Sequence, residues 1–169
     1  MVILITGASG GFGSELTNFF LKKGHQLILQ SHSRDVSIND NQNVKVHTCD
    51  LTKESEIEDF ITSSMKSFGR IDAVLHCAGI SKNAISWKTT LDSWNETIAV
   101  NLTAPFIINK LVLPIMKKQQ FGRLIHLSSV VSQTGFPGTV AYAASKAGLS
   151  GLTKTMSKEV GSNGITVSN

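Results

Sequence analysis

The chain has 169 residues, 41% of them hydrophobic, a formal charge of +4 and two cysteines, Cys49 and Cys77. That suits one domain with a modest core and excludes wholesale disorder. It also leaves no disulfide framework, which fits a reducing compartment and a cytoplasmic location. No run of eighteen apolar residues offers a membrane span, and MVILITGASGG at the N-terminus lacks the basic start of a signal peptide. The pI near 9.2 suits either an anionic partner or a lysine surface that merely solubilises. The longest basic runs are the pairs Lys22-Lys23 and Lys117-Lys118, with no interleaved aromatics, which argues against nucleic acid.

Val2-Ile3-Leu4-Ile5 reads as a strand buried on both faces. A helix is predicted over residues 12–23, with Leu16, Phe19 and Phe20 on one side and Gly24 as its stop. Residues 26–30 form a second strand, 31–43 a polar loop and 44–48 a third strand. Residues 53–68 are acidic and then basic, a helix matched to its own dipole. A fourth strand covers 72–76. A long helix follows over 94–118, with Pro114 expected to kink its last turns. Residues 122–128 are a fifth strand, 129–139 a Gly/Pro/Ser loop and 141–160 a helix with Leu149, Leu152 and Met156 as its core stripe. A sixth strand begins at Ile165. Strands alternating with helices predict an α/β fold: a doubly wound, Rossmann-like parallel sheet with right-handed crossovers, in one domain over 1–169.

Thr6-Gly7-Ala8-Ser9-Gly10-Gly11-Phe12-Gly13 lies where the first strand gives way to the first helix. Glycines there allow a tight turn and let a pyrophosphate approach free N–H groups at the helix start. The spacing is G-x-x-x-G-x-G, and a glycine-rich turn alone can be only a turn. The strand–turn–helix context favours a phosphate site. Tyr142 and Lys146, at i and i+4, share one helix face. An ammonium beside a phenol favours the phenolate, and such a tyrosine can give a proton to a carbonyl or take one from an alcohol. A surface tyrosine lying on a lysine stem would show the same spacing. Ser129, thirteen positions before Tyr142 at the carboxyl end of the fifth strand, favours the chemical alternative, since parallel sheets bind ligands at that edge.

Together these residues resemble the short-chain dehydrogenase/reductases of the classical type, most closely the 3-oxoacyl-carrier-protein reductases. Thr6, Gly7, Gly11 and Gly13 match the glycine motif, and Ser129, Tyr142 and Lys146 match the catalytic set at the usual spacing. Asn101 stands where the family completes a tetrad. The resemblance implies Tyr142 as general acid/base, Lys146 as its ionising partner and a holder of the nicotinamide ribose, Ser129 as positioner of the substrate oxygen and Asn101 as support for a water relay. It implies cofactor contacts from Gly7, Ser9, Gly11, Phe12 and Gly13, from Ser31, Ser33 and Arg34, from Asp50 and Leu51 near the adenine, and from Ala78, Gly79, Tyr142 and Lys146. It further implies a small carbonyl or alcohol substrate and a homodimer or higher oligomer through 103–118 and 141–160; charge pattern, hydropathy and ligand spacing lead us to expect no nucleic-acid, membrane or metal partner. Ala143, Ala144, Ala147, Gly148 and Gly151 are small enough for close helix approach there, or for packing on the chain's own sheet.

Two departures stand out. The family's Asn-Asn-Ala-Gly reads His76-Cys77-Ala78-Gly79 here. Two adjacent ligand types without a second pair make a poor zinc site, and both cysteines are expected as small buried hydrophobes. The family also continues past a sixth strand, so the chain is expected to be incomplete at its C-terminus or naturally short. A catalytically inactive nucleotide-binding or interaction module is therefore the rival to an oxidoreductase. Asn101 can alternatively be a capping or kink-bracing amide, and Trp87 and Trp94 are expected in the core rather than at a substrate mouth. The cofactor is expected to be NADPH in preference to NADH. No carboxylate stands at Ser31, where one would bind a ribose 2′-hydroxyl, and the next three residues, His32, Ser33 and Arg34, can all donate to a 2′-phosphate. Asp35 and the absence of a basic residue at Gly10 count against that choice.

Overall fold

The apolar block near the N-terminus becomes strand β1 (Val2–Thr6), buried along its whole length. Such a strand needs cover on both faces. In the computed structural model, which describes residues 1–32, 36 and 41–169, cover comes from helices on both sides of a six-stranded sheet. Its strands are β1, β2 (Gln26–Ser31), β3 (Val44–Thr48), β4 (Ala73–His76), β5 (Gly122–His126) and β6 (Ile165–Ser168), in the order β3-β2-β1-β4-β5-β6. All five pairings are parallel. The doubly wound, Rossmann-like α/β reading therefore holds.

Successive residues of a strand face opposite sides, and the two cores divide accordingly. Val2, Leu4, Ile28, Val74 and Leu124 meet α2 (Glu54–Phe68), α4 (Ala104–Gln119) and α6 (Val140–Val160). Ile3, Ile5, Leu27, Leu29 and Leu75 meet Leu16 and Phe20 of α1 (Gly11–Lys22). The chain winds one way from β1 to β3 and the other way from β4 to β6. The carboxyl ends of β1 and β4 thus flank the switch point, where such sheets open a crevice.

The long helical region differs from its expectation. It starts at α3 (Leu91–Ile98), where the Thr90 hydroxyl accepts from the Ser93 amide, and widens into a π turn over Ala99–Thr103 before α4. α4 carries Pro114 in its interior and runs on for five residues beyond it. The 29 residues Leu91–Gln119 are long and apolar enough to cross a membrane by length and composition. Here Ala104, Ile107, Ile108, Val112 and Met116 are spent on the sheet, which makes this a core helix. Within the segment read as a loop, α5 (Val131–Thr134) forms one helical turn.

Trp87 corrects an expectation: it is 82% exposed in a short 3-10 turn rather than packed in the core. Trp94 is half-buried. Cys49 is buried and Cys77 half-buried. Among the small residues of α6, Gly148 is needed within the chain, since a Cβ there would lie 2.7 Å from Leu102 Cδ2, whereas Gly151 faces open space.

Candidate active site

Gly7 ends β1 with φ +66°, a conformation that other residues adopt at a cost. A Cβ on it would stand 2.7 Å from Ala78 Cα. Gly13 is needed for a related reason, because its Cβ would run into the Gly7 carbonyl. Between them the turn closes on itself: Gly10 N donates to Gly7 O at 2.9 Å, and Ser14 N to Gly10 O at 2.8 Å. No side chain caps α1, so its first N–H groups remain available to an anion. A Cβ at Gly11 would meet nothing within 4 Å.

The turn is tied to its neighbours by Gln30, a residue the sequence did not single out. Its side-chain carbonyl accepts from Gly7 N at 2.9 Å, its amide donates to Cys49 O at 2.7 Å, and its own carbonyl accepts from Ala8 N at 2.9 Å. Thr6 Oγ1 accepts from Ala78 N at 3.2 Å. One glutamine thereby holds the ends of β1, β2 and β3 in a fixed relation. Only the fold brings these positions together, so no local pattern could have signalled it.

Beside this turn lies a cavity of about 660 Å³, a volume ordinary for a small-ligand site. Of the expected contacts, Gly7, Ser9, Asp50, Leu51, Ala78 and Gly79 line it, joined by Gln30, His32, Cys77, Ile80 and Val100. Gly11 and Phe12 stand outside that lining, and Phe12 is 71% exposed. Ser31 is buried, so the exposed group at the end of β2 is His32. Ser33, Arg34 and Asp35 lie outside the described residues. Asp50 accepts from Thr52 N at 3.0 Å and Thr52 Oγ1 at 2.7 Å, and His32 Nδ1 is 4.0 Å from it. The two Thr52 bonds hold its carboxyl below the usual carboxylate range, so it presents a charged acceptor.

Of the four expected catalytic residues, Asn101 and Lys146 lie at the Gly79–Ile80 end. The π turn buries Asn101 and aims its amide at Ile80: Oδ1 accepts from Ile80 N at 2.8 Å and Nδ2 donates to Ile80 O at 2.9 Å. Asn101 therefore braces the loop after β4. Its Nδ2 also reaches Ser145 Oγ at 3.1 Å, and Ser145 donates to Tyr142 O at 2.7 Å. The Lys146 ammonium is buried, donates to Leu127 O at 2.6 Å and lies 5.7 Å from the Tyr142 ring centroid. A Cβ on Gly79 would come within 3.5 Å of Asn101 Oδ1 and 3.7 Å of Lys146 Nζ. Desolvation lowers the Lys146 pKa. Ser129 Oγ accepts from Val131 N at 3.3 Å and so starts α5, which packs on α6. Burial pushes the Cys77 thiol up to about 11 and Cys49 up to about 12, so neither is a ready thiolate at neutral pH. Among the described residues no three His, Cys, Asp or Glu side chains gather as a metal site.

The short chain dehydrogenase family model matches residues 1–169, and the chain belongs to that family. It is 38% identical to the uncharacterized oxidoreductase YxjF of Bacillus subtilis (strain 168), over 98% of this chain and 67% of that protein. It is 34% identical to the 3-oxoacyl-(acyl-carrier-protein) reductase FabG of Thermotoga maritima, over 98% of this chain and 70% of that protein. Among solved structures, one described as a 3-oxoacyl-reductase from Bacillus thuringiensis superposes with a TM-score of 0.92 at 32% identity, covering 98% of this chain and 74% of that one. A short-chain dehydrogenase from Streptomyces avermitilis gives the same TM-score at 26% identity, covering 62% of its own chain.

Proposed function

We propose that residues 1–169 form the nicotinamide-dinucleotide-binding domain of an NADP-preferring oxidoreductase that interconverts a carbonyl and an alcohol. One observation carries the proposal. The glycine turn with its cavity and the buried Lys146 meet at Gly79, so a dinucleotide laid along the crevice would end beside Tyr142. The residues present suit such a group: uncapped N–H groups for the pyrophosphate, Asp50 and Leu51 at one end, and a bare Gly79 backbone at the other. When bound, the nicotinamide supplies hydride transfer.

Tyr142 gives a proton to the carbonyl oxygen, or takes one from the alcohol, and the Lys146 cation favours its phenolate. Ser129 holds the substrate oxygen, and Asn101 keeps the Ile80 loop and a water path in place. The names of the relatives suggest a 3-oxoacyl group as the substrate class. Pairing of two copies through α4 and α6, in the cytoplasm, belongs to the same proposal. Ala147 and Gly151 are exposed on α6 and free for such a contact.

Arg34 and His32 would carry the preference for a 2′-phosphate. Calorimetric titration of NADPH and NADH against wild type and Arg34→Ala tests this. Tighter NADPH binding, weakened selectively by the substitution, is the expected result. Equal affinity for both cofactors, or equal weakening of both, removes the preference. Firm binding without turnover of any 3-oxoacyl ester would favour a binding module over an enzyme.

A further inference from the structure

Two histidines end the neighbouring strands β4 and β5 in register, His76 opposite His126. Both are buried, and their rings stack with centroids 4.8 Å apart and planes 20° from parallel. Asn109 of α4, fully buried, stands between them. Its Oδ1 is 2.9 Å from His76 Nε2, and its Nδ2 is 2.9 Å from His126 Nε2. His126 Nδ1 is 2.9 Å from the Thr153 hydroxyl of α6. With the amide assigned this way the roles are forced. His76 Nε2–H donates to Asn109, Asn109 donates to His126 Nε2, and His126 Nδ1–H donates to Thr153. His126 is neutral in that chain, and His76, whose buried Nδ1 has no hydrogen-bond partner among the described residues to receive a second proton, is neutral with it. Desolvation asks for the same state, holding His76 at about 3 and His126 at about 4.

The network stops one residue short of the Lys146 anchor. Leu127 follows His126, donates its N–H to His76 O at 3.3 Å and accepts the Lys146 ammonium on its carbonyl at 2.6 Å. Filling the same space with apolar side chains would avoid desolvating four polar groups, so this chain's particular contribution is geometric. We propose that Thr153, His126, Asn109 and His76 are positioning residues for Lys146, pinning the end of β5 to α4 and α6 so that the Leu127 carbonyl stays under the ammonium. The inference rests on the reading of Lys146 as the catalytic cation. The titratable groups around that cation are Tyr142 on its own helix, His76 at the end of β4, Cys77 just after it and His126 from β5. Neutral imidazoles therefore also keep two like charges away from it.

The test follows the Lys146 ε-methylene by NMR of lysine-¹³C-labelled protein across pH, beside the pH profile of turnover. Wild type, His126→Leu, Thr153→Val and Thr153→Ser are compared, with far-UV circular dichroism as the check on folding. In His126→Leu the freed carbonyl no longer stabilises the ammonium. Its titration should fall by about half a pH unit or more, and the alkaline limb of turnover should move down with it. Thr153→Val, which deletes one hydroxyl at nearly constant shape, should shift both in the same direction by less, and Thr153→Ser should restore them. If His126→Leu does not fold, Thr153→Val decides. An unchanged Lys146 titration in either folded variant overturns the proposal. A wild type that shows the expected titration and no turnover would instead overturn the oxidoreductase reading and leave the positioning role standing.

Discussion

Around Gly7 the site is built from backbone; around Lys146 it is built from buried side chains. The turn after β1 offers N–H groups, and its demands are steric: a positive φ at Gly7 and no room for a Cβ at Gly7 or Gly13. The stretch after β5 offers a cation and a phenol, and its demands are electrostatic. A buried ammonium needs an acceptor, found in Leu127, and neutral neighbours, found in His76 and His126. Backbone sites are exact about shape and indifferent to pH, whereas buried polar sites behave the other way round.

That contrast is broken most sharply by Tyr142→Phe. It removes only the ionisable hydroxyl, so turnover should fall about 10²–10⁴-fold while NADPH affinity by calorimetry stays near wild type. Equal turnover by the two proteins would remove Tyr142 from the chemistry. Gly7→Ala attacks the other region. A Cβ 2.7 Å from Ala78 Cα in a left-handed conformation should cost about 2–4 kcal/mol of stability, read from urea unfolding, and abolish cofactor binding. A cost under about 0.5 kcal/mol would show that the turn yields easily.

Acid sharpens the comparison further. His76 and His126 have folded-state pKa values of about 3 and about 4, below the unfolded value of 6.5. The unfolded chain therefore binds their protons first. Their contribution to stability is complete above pH 6.5 and drains away as pH falls through 4 toward 3. Urea midpoints measured from pH 7 to pH 3 should decline across that window, and His126→Asn should flatten the slope. A wild-type slope that the substitution leaves untouched would mean that other groups govern acid unfolding. The smallest effect belongs to Gly11→Ala. Its Cβ points into open space, so stability should hold or rise by up to about 1 kcal/mol. A loss of cofactor affinity in that folded variant would identify Gly11 as a position where a phosphate comes close.

Period and punctuation determined much of this protein from the sequence alone. The unbroken apolar run of β1, the alternation of strands with amphipathic helices and the glycine turn between them specify a parallel doubly wound sheet, because burial on both faces and crossover handedness leave few other arrangements. Tyr142 and Lys146 stand out as candidates because a helix puts i and i+4 on one face, and Ser129 because a parallel sheet presents strand ends together. The tertiary structure alone decided the rest. Gln30 reaches Gly7 and Cys49, Asn101 reaches Ile80, and Asn109 reaches His76 and His126, across separations of 17 to 33 residues. Such partners share no local period. The π turn arises where Asn101 clasps the Ile80 backbone, and the exposure of Trp87 depends on which way a short turn leaves the sheet. Local sequence carries the propensity of a segment. Which polar groups meet in the interior is decided only when the strands are stacked and every buried donor must find an acceptor.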